Sequence, residues 1–212
     1  MSNLEKKRAF TLIEMLIVVS ILVLISVFAV PNYRSFINKL KMKSQMSEVL
    51  SFARESQEYA INVVSSDGSF LGKFGLFMSD DDGQNTSLII FLDNHLNTSN
   101  GVYDNGDSTL CTDDECYKKL DLKEGVKIEK ICWSDALGEH PTSGCESFTD
   151  KTDSGKTANI IFTRPLPDAK FFTAASSELS NFKSTAIIFK SNSGDWGKLV
   201  IGSTGYMYVE TK

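Results

Sequence analysis

The sequence predicts an α+β chain, with one long N-terminal helix followed by a head of antiparallel sheet, and three observations carry that expectation. An apolar run extends from Phe10 to Val30 with a single acid, Glu14, inside it. Apolar residues then recur at spacings of three, four and seven as far as Val64, marking one face of a helix. From Phe70 onward the pattern changes to short β-rich runs separated by Asp, Asn, Gly and Ser. Helix and strands are therefore segregated along the chain, and the apolar stripe of the helix is expected to lie across the sheets.

The first segment has the length of a membrane span. Phe10 to Val30 is 21 residues, and at about 1.5 Å per residue a helix of that length covers roughly 31 Å, one bilayer core. Lys6, Lys7 and Arg8 stand immediately before it, opposed only by Glu5. The positive-inside bias places that end in the cytoplasm and the rest of the chain across the membrane. Glu14 is then informative, because an ionised carboxylate in hydrocarbon costs a few kcal/mol. No Lys, Arg or His lies between Phe10 and Asn32 to neutralise it. A cut after Ala9 would free an α-amino group on Phe10, charged below a pKa of about 7.7–8.0, which could meet the Glu14 carboxylate of a neighbouring copy.

Phe10-Thr11-Leu12-Ile13-Glu14, at the head of an apolar span, resembles the type IV pilin superfamily. The resemblance implies cleavage by a prepilin peptidase between Ala9 and Phe10, N-methylation of Phe10, and a role for Glu14 in assembly. The partners it implies are other pilins or pseudopilins, an inner-membrane assembly platform and, before assembly, the membrane itself. Pro31, just after the apolar run, fits a family whose assembled subunits loosen the helix near this point. The residue before the cut is usually Gly in that family and is Ala9 here, so slower processing is expected. Two other readings of the stretch stand beside this one: a secretory signal, with the mature chain starting at Val30, and an uncut anchor starting at Met1. Sequencing the mature N-terminus separates the three. The expected division is 1–9 leader, 10–30 transmembrane and assembly helix, 31–66 amphipathic continuation and 67–212 head.

In the continuation, Tyr33, Phe36, Ile37, Leu40, Met46, Val49, Leu50, Ala53, Ala60, Ile61 and Val64 form the stripe, and the helix is expected to end at Ser65-Ser66-Asp67-Gly68. Its basic first half, with Arg34, Lys39, Lys41 and Lys43, has the charge to lie near phospholipid headgroups. Strands are expected over Phe70–Met78, Leu88–Leu92, Val126–Cys132, Ala158–Thr163, Lys170–Thr173, Thr185–Lys190 and Lys198–Val209. The last run contains Ser203-Thr204-Gly205, the turn of a terminal hairpin. Within the superfamily, Ile89 to Asp93, Asn100 to Asp107, and Gly197 to Ile201 with Gly205 resemble the GspH/FimT-type minor pilins and pseudopilins. Leu96–Ser99 and the region from Cys111 to Cys145 depart from that pattern.

Cys111, Cys116, Cys132 and Cys145 form an even set in the part expected outside the cytoplasm, which suggests two disulfides with three formal pairings. Cys111 with Cys116 and Cys132 with Cys145 are favoured, since each pair closes a polar loop. A zinc site is disfavoured because the cysteine spacing and the lone His140 make no four-ligand set. No cofactor is expected. Acid clusters at Asp80–Asp82, Asp93–Asp107 and Asp113–Glu115 bear oxygen ligands of the kind calcium takes, the Asp93–Asp107 loop being the best candidate. None has EF-hand spacing, and Asp, Asn and Gly are first of all turn residues.

The balance of charge argues against a nucleic-acid partner. Ser65 to Lys212 holds 14 basic and 22 acidic side chains, a net charge of −8, and the terminal hairpin carries Tyr206 and Tyr208 but no Arg. Those tyrosines are expected to pack. No hydrolase, metalloprotease or P-loop signature occurs, and His95 and His140 stand in no catalytic context, so an enzyme is not expected. The sequons at Asn85 and Asn97 carry little weight. The function expected is that of a minor pilin or pseudopilin, a structural subunit of a pilus or secretion pseudopilus. The alternative is a binding module at a pilus tip, an adhesin or a DNA receptor.

Overall fold

The computed structural model describes residues 10–62, 73–93, 100–103, 111, 115–123, 125–134, 157–163, 168–173 and 178–212, with side chains omitted for 28–32. The chain divides into two compact units, Met1–Leu40 and Lys41–Lys212. One helix, α1 (Leu12–Ile61, 50 residues), contributes to both. Pro31 lies within its helical run. The helix ends at Ile61, short of the Ser65–Gly68 cluster, which lies outside the described residues. Its closing backbone bond is Asn62 N–H to the Glu58 carbonyl, 2.8 Å. Ala60 is its last buried residue, so beyond it packing no longer favours another turn.

In the second unit α1 buries Met42, Met46, Val49, Phe52, Ala53 and Ala60. The stripe read from the sequence includes four of these residues, but Met42 and Phe52 emerge only from the packing. Gln45 sits in the same stripe, 1% exposed, because its Oε1 accepts a bond from the Lys123 backbone N–H at 3.1 Å. A buried amide is tolerated where it satisfies a loop in this way.

Among the described residues nine strands follow: β1 (Lys73–Ser79), β2 (Ser87–Asp93), β3 (Cys116–Asp121), β4 (Val126–Ser134), β5 (Thr157–Thr163), β6 (Asp168–Phe172), β7 (Ser184–Ser191), β8 (Trp196–Gly202) and β9 (Met207–Thr211). They form an antiparallel five-stranded sheet, β3-β2-β1-β5-β6, and an antiparallel four-stranded sheet, β4-β7-β8-β9. The α+β class is as the sequence predicts. β3 is the strand the sequence did not announce. Its Tyr117-Lys118-Lys119 is exposed or half-buried at a sheet edge, where charge replaces the apolar alternation.

Both sheets and α1 enclose one core. Leu76, Met78, Leu88, Ile90, Ile160 and Phe162 from the larger sheet meet Ile128, Ile187, Phe189, Leu199 and Ile201 from the smaller, with the helix stripe packed among them. α1 packs tightly on β8 at Gly197, where an added Cβ would stand 2.5 Å from Met46 Cγ. The larger sheet is also dry on its other face, where Phe77, Ile89, Phe91 and Ile161 cluster with Tyr103. This is why β2 reads Leu-Ile-Ile-Phe-Leu without alternation. The crossing segment Asn100–Tyr103 is held by Asp93 Oδ2 accepting the Gly101 N–H (3.1 Å) and Asn159 Oδ1 accepting the Tyr103 N–H (3.0 Å). Gly101 takes φ +80°, and a Cβ there would strike the Phe172 ring, so both conformation and space require glycine.

Candidate functional site

The start of α1 is organised by a reciprocal cap. Thr11 precedes the first helical residue, and its Oγ1 accepts the Glu14 N–H at 3.3 Å. The Glu14 Oε2 in turn accepts the Thr11 N–H at 3.2 Å and the Thr11 hydroxyl at 3.2 Å. This is a capping box, in which a hydroxyl and a carboxylate three residues apart satisfy two backbone donors that the first turn leaves open. The acid also sits at the positive end of the helix dipole. The spacing Thr11-x-x-Glu14 is the sequence signature of this cap, set here at the head of an apolar run.

Deeper in the run the same economy holds. Ser20 Oγ donates to the Leu16 carbonyl and Ser26 Oγ to the Leu22 carbonyl, each at 2.8 Å. Every polar side chain described between Thr11 and Val27 is thus bonded within the helix, as an apolar solvent demands. The apolar side chains there are exposed on all sides, from Phe10 at 79% and Leu12 at 84% to Val27 at 62%. A helix apolar all round with its polar groups satisfied internally meets the requirement of an apolar environment, whether lipid or other helices. Among the described residues no helix is both long and apolar enough to cross a membrane; the described side chains of this run stop at Val27.

The other sequence-derived positions fall as follows. Ala9, His95, His140, Cys145, Asn97, Asp104 and Asp107 lie outside the described residues. Cys111 is disulfide-bonded to Cys116, with their Cα atoms 5.3 Å apart. Cys132 is also disulfide-bonded, and no free cysteine occurs among the described residues. Asp93 is 1% exposed and serves the Gly101 N–H. Among the described residues no group of three or more His, Cys, Asp or Glu is placed to hold a metal ion. Asn85 is buried and its carbonyl accepts the Ile128 N–H, so its sequon is inaccessible. Tyr206 and Tyr208 lie with ring centroids 6.2 Å apart and planes 11° apart on the face of the smaller sheet away from α1, against Ala186 and Val200.

A family model described as the prokaryotic N-terminal methylation motif matches residues 5–30. No curated protein and no solved structure shows significant similarity to the chain.

Proposed function

We propose that this chain, whose residues 5–30 carry the type IV pilin signature, is a minor pilin or pseudopilin: a structural subunit stored in the bacterial inner membrane and then drawn into a fibre. Prepilin peptidase cuts between Ala9 and Phe10, and Phe10 becomes the N-methylated first residue. Residues 10–30 span the membrane before assembly and line the fibre afterwards, 31–66 continue the helix, and 67–212 form a periplasmic head. Other pilins and the inner-membrane assembly platform are its partners, and the chain catalyses nothing itself.

The observation that carries this reading is the capped Glu14 at the head of an exposed apolar helix. Extraction from lipid is uphill unless that apolar surface meets other helices and the carboxylate meets an amine. The new Phe10 amine of an adjacent subunit supplies one, and pairing with it sets the axial register. The remaining cysteines, Cys132 and Cys145, pair in the oxidising compartment.

Two measurements test this. Mass spectrometry of the mature protein is expected to find N-methylated Phe10; a chain beginning at Met1 or Val30 would overturn the reading. Glu14→Val is expected to insert into the inner membrane at normal levels but to appear in sheared fibres at least tenfold less, whereas undiminished incorporation would remove Glu14 from the mechanism.

A further inference from the structure

The outer face of the smaller sheet, turned away from α1, gathers lysines that are far apart in sequence. Register puts Lys127 of β4 directly opposite Lys190 of β7, Lys190 opposite Trp196 of β8, and Trp196 beside Lys212. Lys127, Lys190, Trp196 and Lys212 are all exposed, one from each strand or its end, in a row across the sheet. Lys130 joins them on the next row, because the irregularity between Ile128 and Lys130 returns it to this face opposite Ile188. The four strands span roughly 15 Å at about 4.8 Å per strand.

Two features of this row do not favour folding. Lys127 and Lys190 are like charges directly across a strand pair, an arrangement that costs stability. Glu129 relieves it by pairing with Lys190 at 2.9 Å, while Lys130 and Lys212 make no ion pair among the described residues. Trp196 stands 37% exposed among these cations, although so large an aromatic surface normally favours burial. Glu210 lies on the same face, paired with Lys198 at 2.8 Å in the row of Lys130, and Glu129 pairs with Lys190, yet lysines still outnumber acids around the exposed indole, which makes the face complementary to a polyanion with flat apolar faces.

We propose that this row is a docking surface for an acidic polysaccharide, with Trp196 stacking on a sugar ring and Lys127, Lys130 and Lys190 pairing with its carboxylates. The charge density decides against double-stranded nucleic acid. A duplex carries one charge per about 1.7 Å and extends well past a strip this narrow, and a head with 22 acidic against 14 basic side chains has no surplus of lysines to match the rest of it. A polymer with one carboxylate per sugar ring is matched by a few lysines and one ring. This surface is independent of the assembly reading, since it uses no residue of α1.

The test is binding of fluorescent polygalacturonate oligomers to the full-length protein in neutral detergent, with neutral dextran and single- and double-stranded oligonucleotides as comparisons. Saturable binding of polygalacturonate is expected, weakening as salt is raised to about 200 mM, with dextran bound at least tenfold more weakly. Lys127→Gln with Lys190→Gln, and separately Trp196→Ala, are expected to lower affinity at least tenfold. Lys127→Gln alone is expected to weaken binding without lowering the thermal midpoint, because it removes the opposed charge; this separates a binding role from a structural one. Tighter binding of either oligonucleotide, equal binding of dextran, or full affinity in the folded variants would overturn the proposal.

Discussion

Thr11 and Glu14 show how two residues make a charge tolerable in an apolar helix. Removing the hydroxyl by Thr11→Ala is expected to cost about 1 kcal/mol at the helix start. Faster amide exchange confined to the first turn of α1, measured in micelles, would report it. Glu55, Tyr59 and Lys118 form a second local network: Glu55 Oε1 accepts both the Tyr59 hydroxyl and the Lys118 ammonium, each at 2.6 Å. The bond to Glu55 pushes the Tyr59 phenol up to about 12, with burial adding to it. The folded value exceeds the unfolded value of about 10, so this stabilisation is complete below pH 10 and is lost as pH rises towards 12. Tyr59→Phe is expected to flatten the fall of the thermal midpoint over that window.

Among the elements, the contact between α1 and β8 is narrow enough to be tested directly. Gly197→Ala is expected to destabilise the protein by about 1–3 kcal/mol, since its Cβ meets Met46 Cγ, and Met46→Ala should recover part of that loss in the double variant. Denaturant unfolding of the three variants measures the coupling. The same element scale marks where sequence reading succeeds and stops. α1 and most strands were legible because burial imposes a period, and β2 was legible even though both of its faces are dry. β3 was not, since edge position relieves it of an apolar face. The row formed by Lys127, Lys190 and Trp196 was equally hidden: it arises from pairing registers, and Lys130 reaches the same face through one irregularity in β4, neither of which periodicity encodes. The cap at Thr11 was written in the spacing and needed only the geometry to be seen.

For the molecule as a whole, the crosslink between Cys111 and Cys116 ties residue 111 to the first residue of the edge strand β3. Closing so short a loop is worth about 2 kcal/mol by the chain-entropy estimate. Cys111→Ser with Cys116→Ser is expected to lower stability by about that amount, read from melting curves with and without reductant. Cys116 also packs on the cluster around Phe77 and Phe91, so the variant is expected to increase binding of a hydrophobic dye.

The first turn of α1 has a consequence for reversibility. On the proposed reading, a carboxylate already satisfied at home exchanges one bond for another when a neighbour arrives, so its pairing adds only the difference to what burial of the apolar helix contributes. Such a subunit is not committed by its acid alone while it waits in lipid. For a subunit of the proposed kind, swapping the acid's partner is in itself a step of small net energy, one that can run in either direction.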